Sequence, residues 1–435
     1  MLKRKIEDEL ISWKARKKKK VLVVRGARQV GKTYSVTQFG HAGYEEVLEI
    51  NFKRMPSAAE IFSGDLDVDT MILAMRFRFP ELKLQPGRTL IFLDEIQECE
   101  EAITSLKFWT MDGRYDVIAS GSLLGIDYKR ASSYPVGYVE YLTMYGLDFE
   151  EFLWAMGTGP DMIGAVRELF EKRKVIPEAV NSQMMKYFRL YMALGGMPEV
   201  IQSYTDTKDF READRIQRDI LEGYRYDIAH YALPNEKIKA EKCFLSLSRQ
   251  LLDKENHKFQ YKEVEHGGRA QKFMSSVEWL ISANIASASR KVTKIEYELA
   301  DYEEESSFRL YTTDLSLLIA MRDYSLKQHI VENTLVDRTR GGLYECAVAD
   351  ILIKKGYALH YYKNDTLRRE IEFLIEKDGG VVPIEVKSGK SKATSLNAVM
   401  KSESGLKEAY KFMDGNVGVG ESGIVTAPLY TAMFL

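Results

Sequence analysis

The sequence predicts an α/β fold organised on a parallel sheet, and three observations predict it. Residues 21–24 are consecutive apolar β-formers that run into Gly26 and then Gly31, Lys32 and Thr33, with a helix-permissive segment behind them. Residues 89–93 form an unbroken apolar run that ends at Asp94 and Glu95. Residues 47–50 and 116–119 read as further strands. Continuous rather than alternating hydrophobicity marks a strand buried on both faces, which is the condition of a parallel sheet.

Length and composition bound the rest. A chain of 435 residues has room for two to four domains of ~100–200 residues each. Lys and Arg number 62 against 64 Asp and Glu, a net charge of −2, which excludes wholesale attraction to nucleic acid or membrane. Any such contact must come from a local patch. The three cysteines, Cys99, Cys243 and Cys346, are far apart, with neither metal spacing nor a disulfide framework. A reducing cytoplasm is the expected location. No run approaches the ~18 apolar residues of a membrane span, so no membrane partner is expected.

Taken in order, residues 6–13 read as a short amphipathic helix, followed by Lys14, Arg16, Lys17, Lys18, Lys19 and Lys20. That cluster is open to two readings, a contact for nucleic acid or acidic lipid and a solvated lead into the first strand. The loop that follows is G-x-x-x-x-G-K-[ST]: Gly26, Ala27, Arg28, Gln29, Val30, Gly31, Lys32 and Thr33, with Tyr34 behind it. Its glycines let backbone N–H groups turn inward onto phosphate oxygens, and the positive end of the helix adds its field. Lys32 is expected to reach the β/γ-phosphates of ATP, and the Thr33 hydroxyl to ligate Mg2+.

Asp94 and Glu95 end a buried strand, on the edge that faces the ligand crevice of an open parallel sheet. This is the Walker B pattern: Asp94 is expected to share the Mg2+ with Thr33, and Glu95 to orient or deprotonate the attacking water. Ser120 or Ser122 is a candidate sensor of the γ-phosphate, with a plain turn at 120–122 as the alternative. Gln97 reads as a surface-helix residue, with a reach to the water as the other reading.

Together GARQVGKT, LIFLDEIQE, IASGSLLG, SYPVGYVEYLTMYGLDFEEFLWA and YMALGGMPEV resemble a large group of archaeal and bacterial AAA-type ATPases that carry an additional C-terminal domain. The resemblance implies an ATP-binding P-loop domain, a helical segment, a winged-helix-like module and a terminal nuclease-like fold. It also implies an arginine that completes the site from a neighbouring subunit or the lid, worth ~10³–10⁵ in rate where such fingers act. Arg114, Arg130 and Arg189 are candidates, and no motif selects among them.

Residues 148–227 carry helical periodicity broken at 157–160 and 195–198, and read as a lid. Tyr187, Phe188, Leu190 and Tyr191 read as its buried stripe. Helical runs between 235 and 283 and an alternating stretch at 294–299 fit a winged helix with its wing. The third run offers only Arg269 and Lys272 for phosphates, so DNA binding and a protein-contact or packing role both stand.

Toward the C-terminus, a helix carrying Glu345 precedes strands at 358–362, 369–375 and 382–387. Alternate residues share a strand face, so Glu370 projects with Glu372 and Glu385 with Lys387. Glu345, Glu372, Glu385 and Lys387 are the residue types of a PD-(D/E)XK nuclease, in which carboxylates hold Mg2+ and the lysine acidifies its water or stabilises phosphate charge. Glu372 stands where aspartate is usual, and an inactive nuclease-like fold and an unrelated hairpin with an exposed charged face stand beside the active-nuclease reading.

The expected organisation is therefore α/β, with a P-loop AAA-type domain over 1–147, a helical lid segment over 148–234, a winged-helix-like module over 235–325 and a nuclease-like domain over 326–435. The expected function is ATP binding with Mg2+-dependent hydrolysis that controls the C-terminal modules. The alternatives are an ATP-regulated metal-dependent nuclease and a non-hydrolysing switch that recruits a protein partner. A homo-oligomer, nucleic acid and a protein partner stay open beside ATP.

Overall fold

The computed structural model describes residues 2–122, 137–252, 258–389, 392–403, 405–420 and 422–435. The chain forms two compact units, one of residues 4–145 with 282–284, the other holding almost all of the remainder, 146–281 and 285–435.

In the first unit, β1 (Val21–Gly26), β2 (Glu46–Asn51), β3 (Thr89–Asp94), β4 (Asp116–Ser122) and β5 (Val139–Thr143) form a sheet in the order β2-β3-β4-β1-β5. Every pairing in it is parallel. Each residue of β3 is buried, as its unbroken apolar run requires. Ile50, Phe62, Met71, Ile91, Leu93 and Trp109 belong to one core on a face of this sheet. The segment 120–122 is not a turn. β1 runs on to Gly26, and β4 follows it with Val24 opposite Ser120 and Gly26 opposite Ser122.

The second unit opens with the helices Phe149–Ala155, Pro160–Glu171, Glu178–Leu194, Pro198–Thr207 and Phe210–Tyr231. The breaks at 157–160 and 195–198 fall between them, with Pro160 and Pro198 in first turns, where a missing N–H costs nothing. Phe188 and Tyr191 are buried, and the Phe149 ring packs edge-on to Phe188 at 5.1 Å. Tyr187 and Leu190 are half-buried.

After the helices Lys237–Leu252 and Ala270–Ser282 come β6 (Ala286–Val292), β7 (Glu303–Thr312), β8 (Leu359–Asn364), β9 (Arg369–Lys377), β10 (Gly380–Lys387), β11 (Ala409–Met413), β12 (Gly418–Val419) and β13 (Ile424–Pro428). They build one mixed sheet in the order β12-β13-β11-β10-β9-β8-β6-β7. β6 pairs antiparallel with β7 and parallel with β8, so the sheet runs across residue 325. The alternating stretch 294–299 is not a strand. Glu298 takes a left-handed conformation, φ 68°, and Ile295 and Leu299 are anchors of a turn that enters the core beside Ile371 and Leu374.

A buried polar knot ties this unit together. The helix Asp337–Lys354 ends at Lys354, whose Nζ lies 2.7 Å from Asp314 Oδ2, 2.9 Å from Asp350 Oδ1 and 3.1 Å from the Leu147 carbonyl. Tyr191 donates its hydroxyl to Asp350 Oδ2 at 2.5 Å. Burial pushes the Asp350 carboxyl up to about 6, Lys354 opposing and Asp314 adding to the rise. Between its ordinary value of 3.8 and about 6, the native state holds a proton that the unfolded chain releases, so stability falls as pH rises through that window. Asp350→Asn is expected to flatten this loss by on the order of 2–3 kcal/mol, read from urea midpoints at the two ends of the window. An unchanged pH profile would contradict the assignment.

Candidate functional site

The first unit brings its predicted residues to the carboxyl ends of β1, β3 and β4. Gly26 is required by close approach, since a Cβ there would lie 2.1 Å from the Met144 carbonyl oxygen. Gly31 adopts φ 96°, a left-handed value that favours glycine, and Gln29 shares that region at 62°. The helix Lys32–Gly43 begins there with no side-chain cap, so first-turn N–H groups are left for an external acceptor. Ala27 and Val30 are buried, Arg28 is half-buried, and Gln29 and Tyr34 are exposed.

Lys32 is 7% exposed, and its Nζ donates to the carbonyls of Gly26 at 3.1 Å and Ala27 at 2.8 Å. Asp94 is 1% exposed. Its Oδ2 accepts from Thr33 Oγ1 at 3.0 Å and from Asn51 Nδ2 at 2.6 Å, and its Oδ1 accepts from the Ser120 hydroxyl. A carboxylate this deep is tolerable only because its oxygens are hydrogen-bonded. The donor set fits a nucleotide-bound Mg2+, which takes one or two carboxylates or hydroxyls from protein and its remaining oxygens from phosphates and water.

Glu95 stands apart from this cluster, at φ 53°, with Gln97 Nε2 donating to its Oε2 at 2.6 Å. Gln97 is not a surface-helix residue. It sits half-buried in the short 3-10 turn Ile96–Glu98, and its Oε1 lies 2.6 Å from where a Gly121 Cβ would be. That oxygen is buried with no hydrogen-bond partner among the described residues, which marks a place for water or ligand.

Two contributors escaped the motif reading. Asn51, at the end of β2, lies opposite Asp94 in the strand register, a relation visible only once β2 and β3 are paired. Arg4 donates to the Val30 carbonyl at 2.9 Å and the Tyr145 carbonyl at 2.8 Å, bracing the loop from the segment just before the first helix, Ile6–Ala15.

Of the three arginine candidates, Arg114 is in the first unit. It precedes β4, at the opposite end of the parallel sheet, and is held by Asp112 and Asp69. Arg130 lies outside the described residues, as does the Ser122 side chain. Arg189 belongs to the second unit.

The second unit assembles the other predicted set. Lys387 Nζ lies 3.2 Å from Glu372 Oε1 and 2.8 Å from Glu385 Oε1. Glu345 has a different partner, the buried Arg309 on β7. The Arg309 guanidinium reaches Glu345 Oε1 at 3.0 Å, Glu370 Oε1 at 2.6 Å and the Glu372 carbonyl at 3.3 Å, and Tyr311 donates to Glu345 as well. Burial pushes the Glu372 carboxyl up to about 7, with Lys387 opposing and Glu385 and Glu345 adding to the rise. Among the described residues no group of three or more His, Cys, Asp or Glu is placed to hold a metal ion. Arg309 and Lys387 stand among these carboxylates, and Glu372 Oε2 and Glu385 Oε2 are buried with no hydrogen-bond partner among the described residues. On the third helical run, Lys272 is paired with Glu265 and Arg269 is exposed.

Three stretches of the chain match family models. Residues 18–153 match a family model described as an AAA domain, residues 185–328 one described as a domain of unknown function (DUF8612), and residues 340–430 another of that description (DUF4143). No curated protein matches the chain. Solved structures with some likeness include the Aeropyrum pernix ORC1 protein in complex with DNA, 14% identical over 77% of this chain and 93% of that one, TM-score 0.29. AMPPCP-bound DnaA from Aquifex aeolicus is 13% identical over 63% and 85%, TM-score 0.29. Cdc6p from Pyrobaculum aerophilum is 12% identical over 76% and 93%, TM-score 0.24. Likenesses at these scores carry no argument. No helix among the described residues is long and apolar enough to cross a membrane.

Replacing Arg309 by alanine strands the buried Glu345 carboxylate. Arg309→Ala is expected to lower stability by about 3–5 kcal/mol in urea denaturation; a loss under about 1 kcal/mol, the worth of an exposed pair, would show that Arg309 is not its counter-ion.

Proposed function

We propose, from the premise that the first unit is an AAA-type P-loop domain, that this chain binds ATP with Mg2+ and hydrolyses it. The observation that carries the reading is the Thr33 hydroxyl 3.0 Å from Asp94 Oδ2, beneath a loop whose N–H groups open onto the same sheet edge.

Each residue then has a task. Lys32 leaves the Gly26 and Ala27 carbonyls for the β/γ-phosphates, a stronger charge-assisted partner. Thr33 and Asp94 hold the Mg2+, while Asn51 and Ser120 keep the Asp94 carboxylate aimed. Bound there, Mg2+ would supply compensation for the phosphates' developing charge. Glu95, held by Gln97, takes or orients the proton of the attacking water. Arg4 keeps the loop in place from below. A neighbouring copy is the proposed source of a completing arginine.

Control of the second unit is part of the proposal. β5 lies beside β1, the strand that feeds the loop, and residue 146 begins the second unit just after β5 ends. This continuity supports a route by which nucleotide state reaches it. A second reading, a metal-dependent nuclease, is favoured by the convergence of Glu372, Glu385 and Lys387 and opposed by Arg309 on Glu345. Purified protein that leaves DNA and RNA intact with Mg2+ or Mn2+ would remove it.

Lys32→Ala is expected to abolish tight ATP binding in calorimetry, and unchanged affinity would overturn its role. Glu95→Gln is expected to bind ATP yet release phosphate ~10²–10⁴-fold more slowly. Turnover at the wild-type rate would rule out Glu95 as the residue that activates water, and no release by the wild-type chain would favour a non-hydrolysing switch.

A further inference from the structure

The basic run after the first helix belongs to a cavity that the ATP site does not use. This cavity, about 690 Å3, lies at the amino ends of β1 and β4, where Val21 and Asp116 begin. In a parallel sheet that is the edge opposite the loop and Asp94. Its lining includes Lys17, Lys18, Lys19, Lys20, Arg114 and Asp116.

The charges there do not cancel. Lys19 Nζ lies 2.8 Å from Asp116, and Arg114 is spent on Asp112 and Asp69. Lys17, Lys18 and Lys20 are exposed, and no carboxylate among the described residues pairs with them. The chain as a whole has a net charge of −2, so this concentration of free ammonium groups at one recess is local.

We propose that this recess binds the phosphate backbone of a nucleic acid, independently of the ATP site. Lysine ammonium groups neutralise successive phosphates of a linear polyanion and release its condensed counterions, without reading sequence. A membrane surface is a poorer fit, because the attraction of lysines to anionic lipid is ordinarily strengthened by inserted apolar side chains. Here the aromatic floor, Trp13 and Trp109, is 2% and 1% exposed and has no ring to insert.

The test is fluorescence anisotropy of the full chain, without nucleotide, against a labelled oligothymidine and a labelled duplex of unrelated sequence across about 50–200 mM salt. Vesicles of phosphatidylserine and phosphatidylcholine form a parallel arm. The wild-type chain is expected to bind the oligonucleotides with affinity that falls steeply with salt. The triple variant Lys17→Ala, Lys18→Ala, Lys20→Ala is expected to lose about tenfold or more in affinity, and its log–log salt slope to shrink by ~2–3. Circular dichroism reports its folding. The double variant Lys172→Ala, Lys401→Ala, at exposed positions elsewhere, is expected to bind as the wild type does. Absent wild-type binding, a folded triple variant with unchanged affinity and slope, or binding to vesicles alone would each overturn the proposal.

Discussion

Everything in the first unit depends on keeping one buried carboxylate hydrogen-bonded. Asp94 ends a strand with no exposed residue, so its oxygens must be met from within. The donors come from the carboxyl end of β2 (Asn51), the end of β4 (Ser120) and the helix that follows β1 (Thr33). Those elements are consecutive in the order β2-β3-β4-β1. Sheet order, register and loop conformation are thereby coupled to a single side chain.

The carboxylates of the two units take their partners from opposite kinds of group. Asp94 is met by neutral donors, a pair of hydroxyls and an amide, so a divalent cation entering there adds charge compensation that the protein does not itself supply. Glu345, Glu372 and Glu385 each set one oxygen against a guanidinium or an ammonium. Glu372 Oε2 and Glu385 Oε2 are buried with no hydrogen-bond partner among the described residues, so a metal there would compete with a charge already in place. The same residue type therefore suits ligand exchange in one setting and internal cohesion in the other, because a buried ion pair broken on one side leaves an uncompensated charge.

Much of the nucleotide-site candidate was legible because its signal is local. Gly26, Gly31, Lys32 and Thr33 are neighbours in sequence, and the unbroken run before Asp94 announces its own burial. Asn51 and Arg4 were not legible, since each acts across a distance that only strand pairing or the packing of the segment before the first helix closes. The stretch 294–299 misled for a related reason: its apolar residues alternate, yet they serve as anchors on either side of a left-handed Glu298 rather than as one face of a strand. Gln97 looked like surface because a polar side chain just past a strand end is ordinarily solvated, whereas Gly121, with no Cβ, leaves room for its amide to lie inward. Glu345 was placed correctly on a helix beside the strands, but nothing in its neighbourhood pointed to Arg309, which arrives on β7 through a sheet that crosses residue 325.

The central claim is that the Asp94 carboxylate holds the metal on which turnover depends. Its most direct test is steady-state phosphate release at saturating ATP, titrated with Mg2+, for the wild-type chain and for Asp94→Asn, which keeps the shape and removes the charge. The account predicts release that rises with Mg2+ in the wild type and is reduced ~10²-fold or more in the variant. Equal release by the two proteins across the titration would contradict it.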